Sequence, residues 1–195
     1  MPGTEQPRIP SAVVIILSAA ALVGAWHRPI ASPTSVAVLA IDLNNLANSV
    51  PDPALPDRIL DLAASLRATL AGPCGYEVVA MDTAAEAAAH ATNGYFYAHP
   101  DVAASLARAA GAEWVVVPRV NRASPWVADL QAHVVRVRDT MLLSNRIVEI
   151  KGIELDSALA VRLAERGAAW MADQISQVIE RAGNPGASPT RRCPA

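Results

Sequence analysis

With 195 residues, 52% hydrophobic but only 4% aromatic, the chain has room for one domain whose core is built mainly from Ala, Val, Leu and Ile. A formal net charge of −2 and the lack of a basic stripe exclude a long-range pull toward nucleic acid or anionic lipid, so nucleic acid is not an expected partner. Two cysteines, Cys74 and Cys193, are too few for a disulfide framework and lack the spacing of zinc ligands.

At the N-terminus, Met1–Pro10 sets Arg8 and the terminal amine against Glu5, and the uncharged apolar run SAVVIILSAAALVGA follows over Ser11–Ala25. That run is shorter than the ~20 residues of a membrane-spanning helix and has the length of a secretory h-region. Val23 and Ala25 are small residues placed for cleavage before Trp26. The pattern predicts a signal peptide over residues 1–25, with an uncleaved signal-anchor as the alternative. The remainder is then exported and periplasmic, touching the membrane only through this segment if it stays attached. Residues 26–34 read as a linker, 35–182 as a single domain, and 183–195 as a Gly/Pro/Ser-rich disordered tail. In an oxidising compartment Cys74 and Cys193 can pair, because a tail can reach far.

Ser35–Leu43 (SVAVLAIDL) is an apolar, β-branched run that predicts a buried strand, followed by a loop rich in Pro and Asn. Asp57 is the expected N-cap of a first helix, whose apolar positions Ile59, Leu62, Ala63, Leu66 and Leu70 recur at helical spacing. Tyr76–Met81 predicts a second strand, and Asp82 caps a short alanine-rich helix to about His90. Thr92–Gly94 breaks the pattern before the aromatic loop Tyr95-Phe96-Tyr97. Asp101 is the expected cap of the helix that Gly111 terminates.

Trp114–Asn121 is the third strand. Alternation puts Trp114, Val116, Pro118 and Val120 on one face, and Val115, Val117, Arg119 and Asn121 on the other. Pro118 cannot donate to a ladder, so an edge or bulge is expected beside it. Trp126–Arg138 and Leu142–Lys151 complete an antiparallel meander, since their connections are too short for crossovers. A last helix over about Ser157–Arg181 has Leu159, Leu163, Gly167, Trp170, Ile175 and Val178 as its apolar stripe. The order β-α-β-α-β-β-β-α predicts a two-layer α/β sandwich with a mixed sheet, parallel first and antiparallel second, and helices on one or both faces.

Candidate chemistry is sparse. None of His27, His90, His99 and His133 has a metal-ligand partner at i+2 or i+4, so neither a metal nor a cofactor is expected. No nucleophile elbow, phosphate loop or dinucleotide fingerprint is present, and no catalytic residue is assigned. Asp42 closes a parallel strand, where open α/β sheets place ligand groups. With Asn44 and Asn45 it is a candidate contact, or else it bonds the backbone of the following loop. Tyr95, Phe96 and Tyr97 form either a recognition surface or the filling between two helices. Arg119 reads as the wet end of a sheet face, with Asp129, Gln131 and His133 as polar company, and Arg122 as a turn residue beyond the strand.

The run LARAAGAEWVVVPRV (Leu106–Val120) resembles the helix-to-strand junction of TolB amino-terminal-like domains, which recurs in exported envelope proteins including the CsgG and LpoB relatives. VAVLAIDL, VVRVRD at Val134–Asp139, IVEIKG at Ile147–Gly152 and ERGAAWMADQI are similar to a family of exported bacterial domains of unknown function with that fold. The likeness covers Val36–Ile179. Ile153–Asp156 departs from the family's polar turn and Trp, and Tyr95, Phe96, Tyr97 and His99 stand where family cysteines often lie. The resemblance implies a non-catalytic accessory or assembly domain that binds another envelope protein. The alternative is a small-molecule binding module at the Asp42 strand end, and an enzyme of unknown reaction comes third.

Overall fold

The computed structural model describes residues 33–46, 53–124, 127–151, 157–186 and 193. The signal-like segment, most of the linker, Pro125, Trp126, residues 152–156 and the tail beyond Gly186 apart from Cys193 lie outside them. The elements are β1 (Ser35–Val38), β2 (Asp42–Asn45), α1 (Leu55–Ala71), β3 (Glu77–Val79), α2 (Thr83–Ala89), α3 (Tyr95–Ala98), α4 (Pro100–Ala109), β4 (Trp114–Arg122), β5 (Val127–Arg136), β6 (Met141–Lys151) and α5 (Ser157–Gly183). Six strands form one sheet in the order β3-β1-β4-β5-β6, with β2 beside β4. β1 pairs in parallel with β3 and β4, β2 with β4, and the β4–β5–β6 ladders are antiparallel. The sheet is mixed, parallel first and antiparallel second, as the element order predicts.

The layer count differs from expectation. Val36, Val38, Trp114, Val116 and Val120 pack on one face with Leu62, Leu66 and Leu70 of α1 and Met171, Ile175 and Val178 of α5. Ala37, Leu39, Val115 and Val117 pack on the other with Phe96 and with Ala103, Ala104 and Ala107 of α4. Both faces of β1 and β4 are therefore apolar, which a strand needs only when helices cover both sides. The sandwich has three layers rather than two. The α4 alanines carry no side chain beyond Cβ, so this helix lies close against the sheet.

Two helix starts also move. α1 begins at Leu55 with Ala54 as its N-cap, and Asp57 sits in the first turn. α4 begins at Pro100 behind His99, which likewise leaves Asp101 in the first turn. Both carboxylates still meet the positive end of the helix dipole. Asp82 caps α2 directly, its side chain accepting from the amides of Ala84 and Ala85. On α5, Trp170 is 57% exposed and stands outside the stripe that buries Met171, Ile175 and Val178.

The run Ser35–Leu43 is interrupted, and Pro118 accounts for it. Val38 aligns with Val116 and Asp42 with Arg119, so the β1–β2 side carries one residue more than β4 across the same interval. The carbonyls of Val116 and Arg122 accept from Leu39 and Leu46, which shows that even-numbered residues of β4 turn their polar groups to this edge. Pro118 is in phase with them and has no N–H to offer. The strand breaks where that donor is missing.

Side chains from both helical layers satisfy the break. The Ala40 amide donates to Glu86 Oε1 at 2.5 Å, and Arg67 Nη2 donates to the carbonyls of Val38 (3.0 Å) and Leu39 (3.4 Å). Backbone groups leaving a ladder need such partners when buried. The tail is held on the α1–α5 side, where Cys193 is bonded to Cys74 with an S–S distance of 2.02 Å.

Candidate functional site

Two neighbourhoods gather the residues singled out in the sequence. The first lies at the carboxyl end of β1, where the strand break opens a cleft of about 590 Å³. Ile41, Leu43, Ile59, Leu60 and Phe96 supply apolar walls, and Asp42, Glu86 and His90 supply the polar lining. α1 leaves β1 over one face while α2 to α4 return over the other, so the cleft occupies the point where an open α/β sheet changes direction. Its volume falls within the range of small-molecule sites.

Asp42 is buried, and its Oδ1 lies 2.8 Å from His90 Nε2. The His90 ring also contacts Phe96, with centroids 5.2 Å apart. Asn93 Nδ2 donates to the Leu43 carbonyl at 2.6 Å, which ties the loop before α3 to the same strand. Asn44 and Asn45 do not join Asp42. Asn44 Nδ2 donates across the ladder to Asn121 Oδ1 at 2.6 Å, and Asn45 is exposed at the strand end. His90 and His99 turn to different partners, for His90 lies against Phe96 and the tilted His99 ring packs on Tyr95 with centroids 4.4 Å apart. Among the described residues no group of three or more His, Cys, Asp or Glu could hold a metal ion.

The second neighbourhood is the far half of the face that α2 and α4 cover near β1. Beyond Val117 this face turns polar. Arg119 stands opposite Gln131, Asn121 opposite Asp129, and Asn145 opposite His133, so β4, β5 and β6 present one polar grid. Arg119 is thus aligned with Gln131 rather than Asp129. Arg122 is not a turn residue but the buried last residue of β4.

The aromatic loop is a short helix rather than a coil, launched by Gly94 at φ +76°, a conformation that glycine adopts at no steric cost. Phe96 is buried in the α4-side core, and Tyr97 reaches onto the polar grid. The Tyr97 ring stacks on His133 with centroids 3.6 Å apart, and the Arg119 guanidinium carbon lies 5.4 Å from the same ring. The Tyr97 hydroxyl donates to Asn145 Oδ1 at 2.7 Å.

Burial raises the Tyr97 pKa, against the opposing pull of Arg119 and the Asn145 hydrogen bond, so the phenol stays a donor. Burial lowers the His133 pKa, and its hydrogen bond to the Tyr97 backbone opposes this only in part. A histidine depressed below 6.5 binds its proton more readily in the unfolded chain, so stability rises with pH across the interval between the two values. Its contribution is fully present above about pH 6.5 and is lost as pH falls through the depressed folded value. Urea midpoints measured from about pH 7.5 down to about pH 5 should fall more steeply for the native chain than for His133→Gln; parallel slopes would show that His133 does not carry the dependence.

The sequence already set His133 beside Arg119, and the structure adds the contacts that Tyr97 makes with both. It missed His90 as the partner of Asp42 and Glu86 as the clasp of the strand break. Glu86 is a charged residue on the buried face of an alanine helix, and that mismatch was the available signal. Among the described residues no helix is long and apolar enough to cross a membrane.

Comparison with known proteins adds a family and a set of distant structures. The LpoB C-terminal domain from Salmonella enterica is 13% identical, with 64% of this chain and 87% of that one covered and a TM-score of 0.44. Lipoprotein GNA1162 from Neisseria meningitidis is 18% identical, with 73% and 99% covered and a TM-score of 0.44. TolB from Acinetobacter baumannii is 13% identical, with 75% and 28% covered and a TM-score of 0.43. No curated protein matches the chain. Residues 34–177, nearly the whole described domain, match the family described as protein of unknown function (DUF2380), and the chain belongs to that family.

Proposed function

We propose that this chain is a non-catalytic, exported accessory domain that binds another envelope protein through the polar half-face of β4, β5 and β6. The observation that carries this reading is the change of character along a single sheet face. Near β1 it is apolar and covered by α4, whereas beyond Val117 it is a polar grid with Asn145, Ile147 and Glu149 exposed and Tyr97 at its margin. A tyrosine with a stacked histidine and an adjacent guanidinium supplies contact area at low entropic cost, and exposed Ile147 adds an apolar point inside the polar rim. The Cys74–Cys193 bond supports an oxidising compartment, and the signal-like N-terminus supports the same route.

The test is a photo-reactive residue placed at Ile147, compared with one at Trp170 on the opposite side of the molecule. Crosslinking in cells should join Ile147 to one envelope protein and leave Trp170 unlinked, and Tyr97→Ala should abolish the product. Equal yields from the two positions would refute the assignment of the surface.

The cleft favours a second reading, a small-molecule binding module at the end of β1. It pairs apolar walls with the Asp42–His90 couple at the direction change of the sheet.

A further inference from the structure

We infer that the cleft at the β1–β2 break takes a small organic cation, an amine carried on an apolar body. This inference rests on the second reading above and adds the class of ligand. The walls set the body. Ile41, Leu43, Ile59 and Phe96 line one continuous space, and Leu60, 68% exposed on α1, stands at its rim. A chain or ring of about six carbons can lie along these side chains, at roughly 0.8 kcal/mol for each methylene removed from water.

The polar lining sets the charge. Asp42 and Glu86 are 8% and 7% exposed, and both face the cleft. Among the described residues the only other titratable side chain lining it is His90, held by Asp42. With the imidazole neutral the lining carries two negative charges, and with it protonated one remains. The sign is therefore negative in either state.

Among the described residues no Lys or Arg lines the cleft. Arg67, the guanidinium at the break, donates to the carbonyls of Val38 and Leu39 and does not line the cleft. Each carboxylate has one oxygen engaged, Asp42 Oδ1 by His90 and Glu86 Oε1 by the Ala40 amide, and a carboxylate can accept from further donors at its second oxygen. An ammonium group meets that demand with three donors and a complementary charge. A carboxylate would be repelled, and an alcohol would satisfy the geometry without the charge.

The experiment titrates n-hexylamine, n-hexanol and n-hexanoate separately into the isotope-labelled full-length protein and follows the methyl resonances of Ile41, Leu43, Ile59 and Leu60. Hexylamine should shift these methyls and bind at least about tenfold more tightly than hexanol, with hexanoate weaker still. The near-isosteric pair Asp42→Asn and Glu86→Gln, which retains acceptors for His90 and the Ala40 amide, should bring hexylamine to the level of hexanol. If hexanol or hexanoate matches hexylamine on the native protein, the cationic class is overturned while the cleft stands as a site. If none of the three moves the cleft methyls, both the class and the small-molecule reading fail. These comparisons on the native protein decide the matter even where the double variant does not fold.

Discussion

Removing the bond between Cys74 and Cys193 is expected to be among the most damaging changes available to this domain. The two cysteines are 119 residues apart, and in the chain-entropy account a loop of that length restricts the unfolded state by an amount near ~5 kcal/mol. Native disulfides of exported domains commonly contribute about 2–5 kcal/mol, against a total stability of about 5–15 kcal/mol. Cys74 and Cys193 are also buried in the α1–α5 core, so the bond fastens an otherwise remote stretch of chain to the domain. The double variant Cys74→Ser and Cys193→Ser should lose about that stability, with a thermal midpoint lower by roughly 10 °C. Urea unfolding of native and variant chains measures this directly. A loss below about 1 kcal/mol would mean that the tail contributes little to the folded state or that the unfolded chain is already compact.

A second large effect is expected in α1, where the same substitution at two leucines of one helix should give contrasting results. Leu66 is wholly buried between the sheet and α5, and its truncation to alanine leaves a cavity among Val38, Leu70 and Met171 that close packing cannot fill. Leu66→Ala should cost about 2–5 kcal/mol. Leu60 lies on the same helix at 68% exposure, and Leu60→Ala should stay within about 0.5 kcal/mol. Denaturant midpoints of the two variants check the contrast. Equal losses would mean that the cleft beside Leu60 is closed in solution and buries that side chain as well.

The two proposed surfaces make different demands on the fold. The cleft exists because the strand breaks opposite Pro118, and it is held open by Glu86 and Arg67 reaching the break from different helices. The polar half-face exists because α4 packs on β5 only at its Val135 end, leaving the face from Gln131 to Asn145 to Tyr97 of α3. A ligand in the cleft and a protein on the half-face would share β2 and β4. Asp42 and Arg119 stand opposite each other in that ladder, and Asn93 ties the loop before α3 to Leu43.

The sequence by itself determined the longer helices and strands and the mixed sheet, but not the division of Ser35–Leu43 into two strands or the short helix at Tyr95–Ala98. Helical spacing marked Leu62, Leu66 and Leu70, strand alternation divided Val116 and Val120 from Val115 and Val117, and short connections required the meander. These signals are local, because periodicity and turn chemistry act over a few residues. Tertiary structure decided everything that joins distant residues. Asp42 meets His90 across 48 positions, and the Ala40 amide meets Glu86 across 46. Three layers form because an alanine helix can approach a valine face closely, and alanine carries too weak a hydrophobic signal to announce which face it covers. Trp170 illustrates the converse, since its spacing allowed a place in the apolar stripe and only the angle of α5 on the sheet left it facing outward. Pro118 lies between the two cases. Its missing N–H was legible, but the break it causes belongs to a strand about 80 residues earlier in the chain, at the edge that the register alone selects.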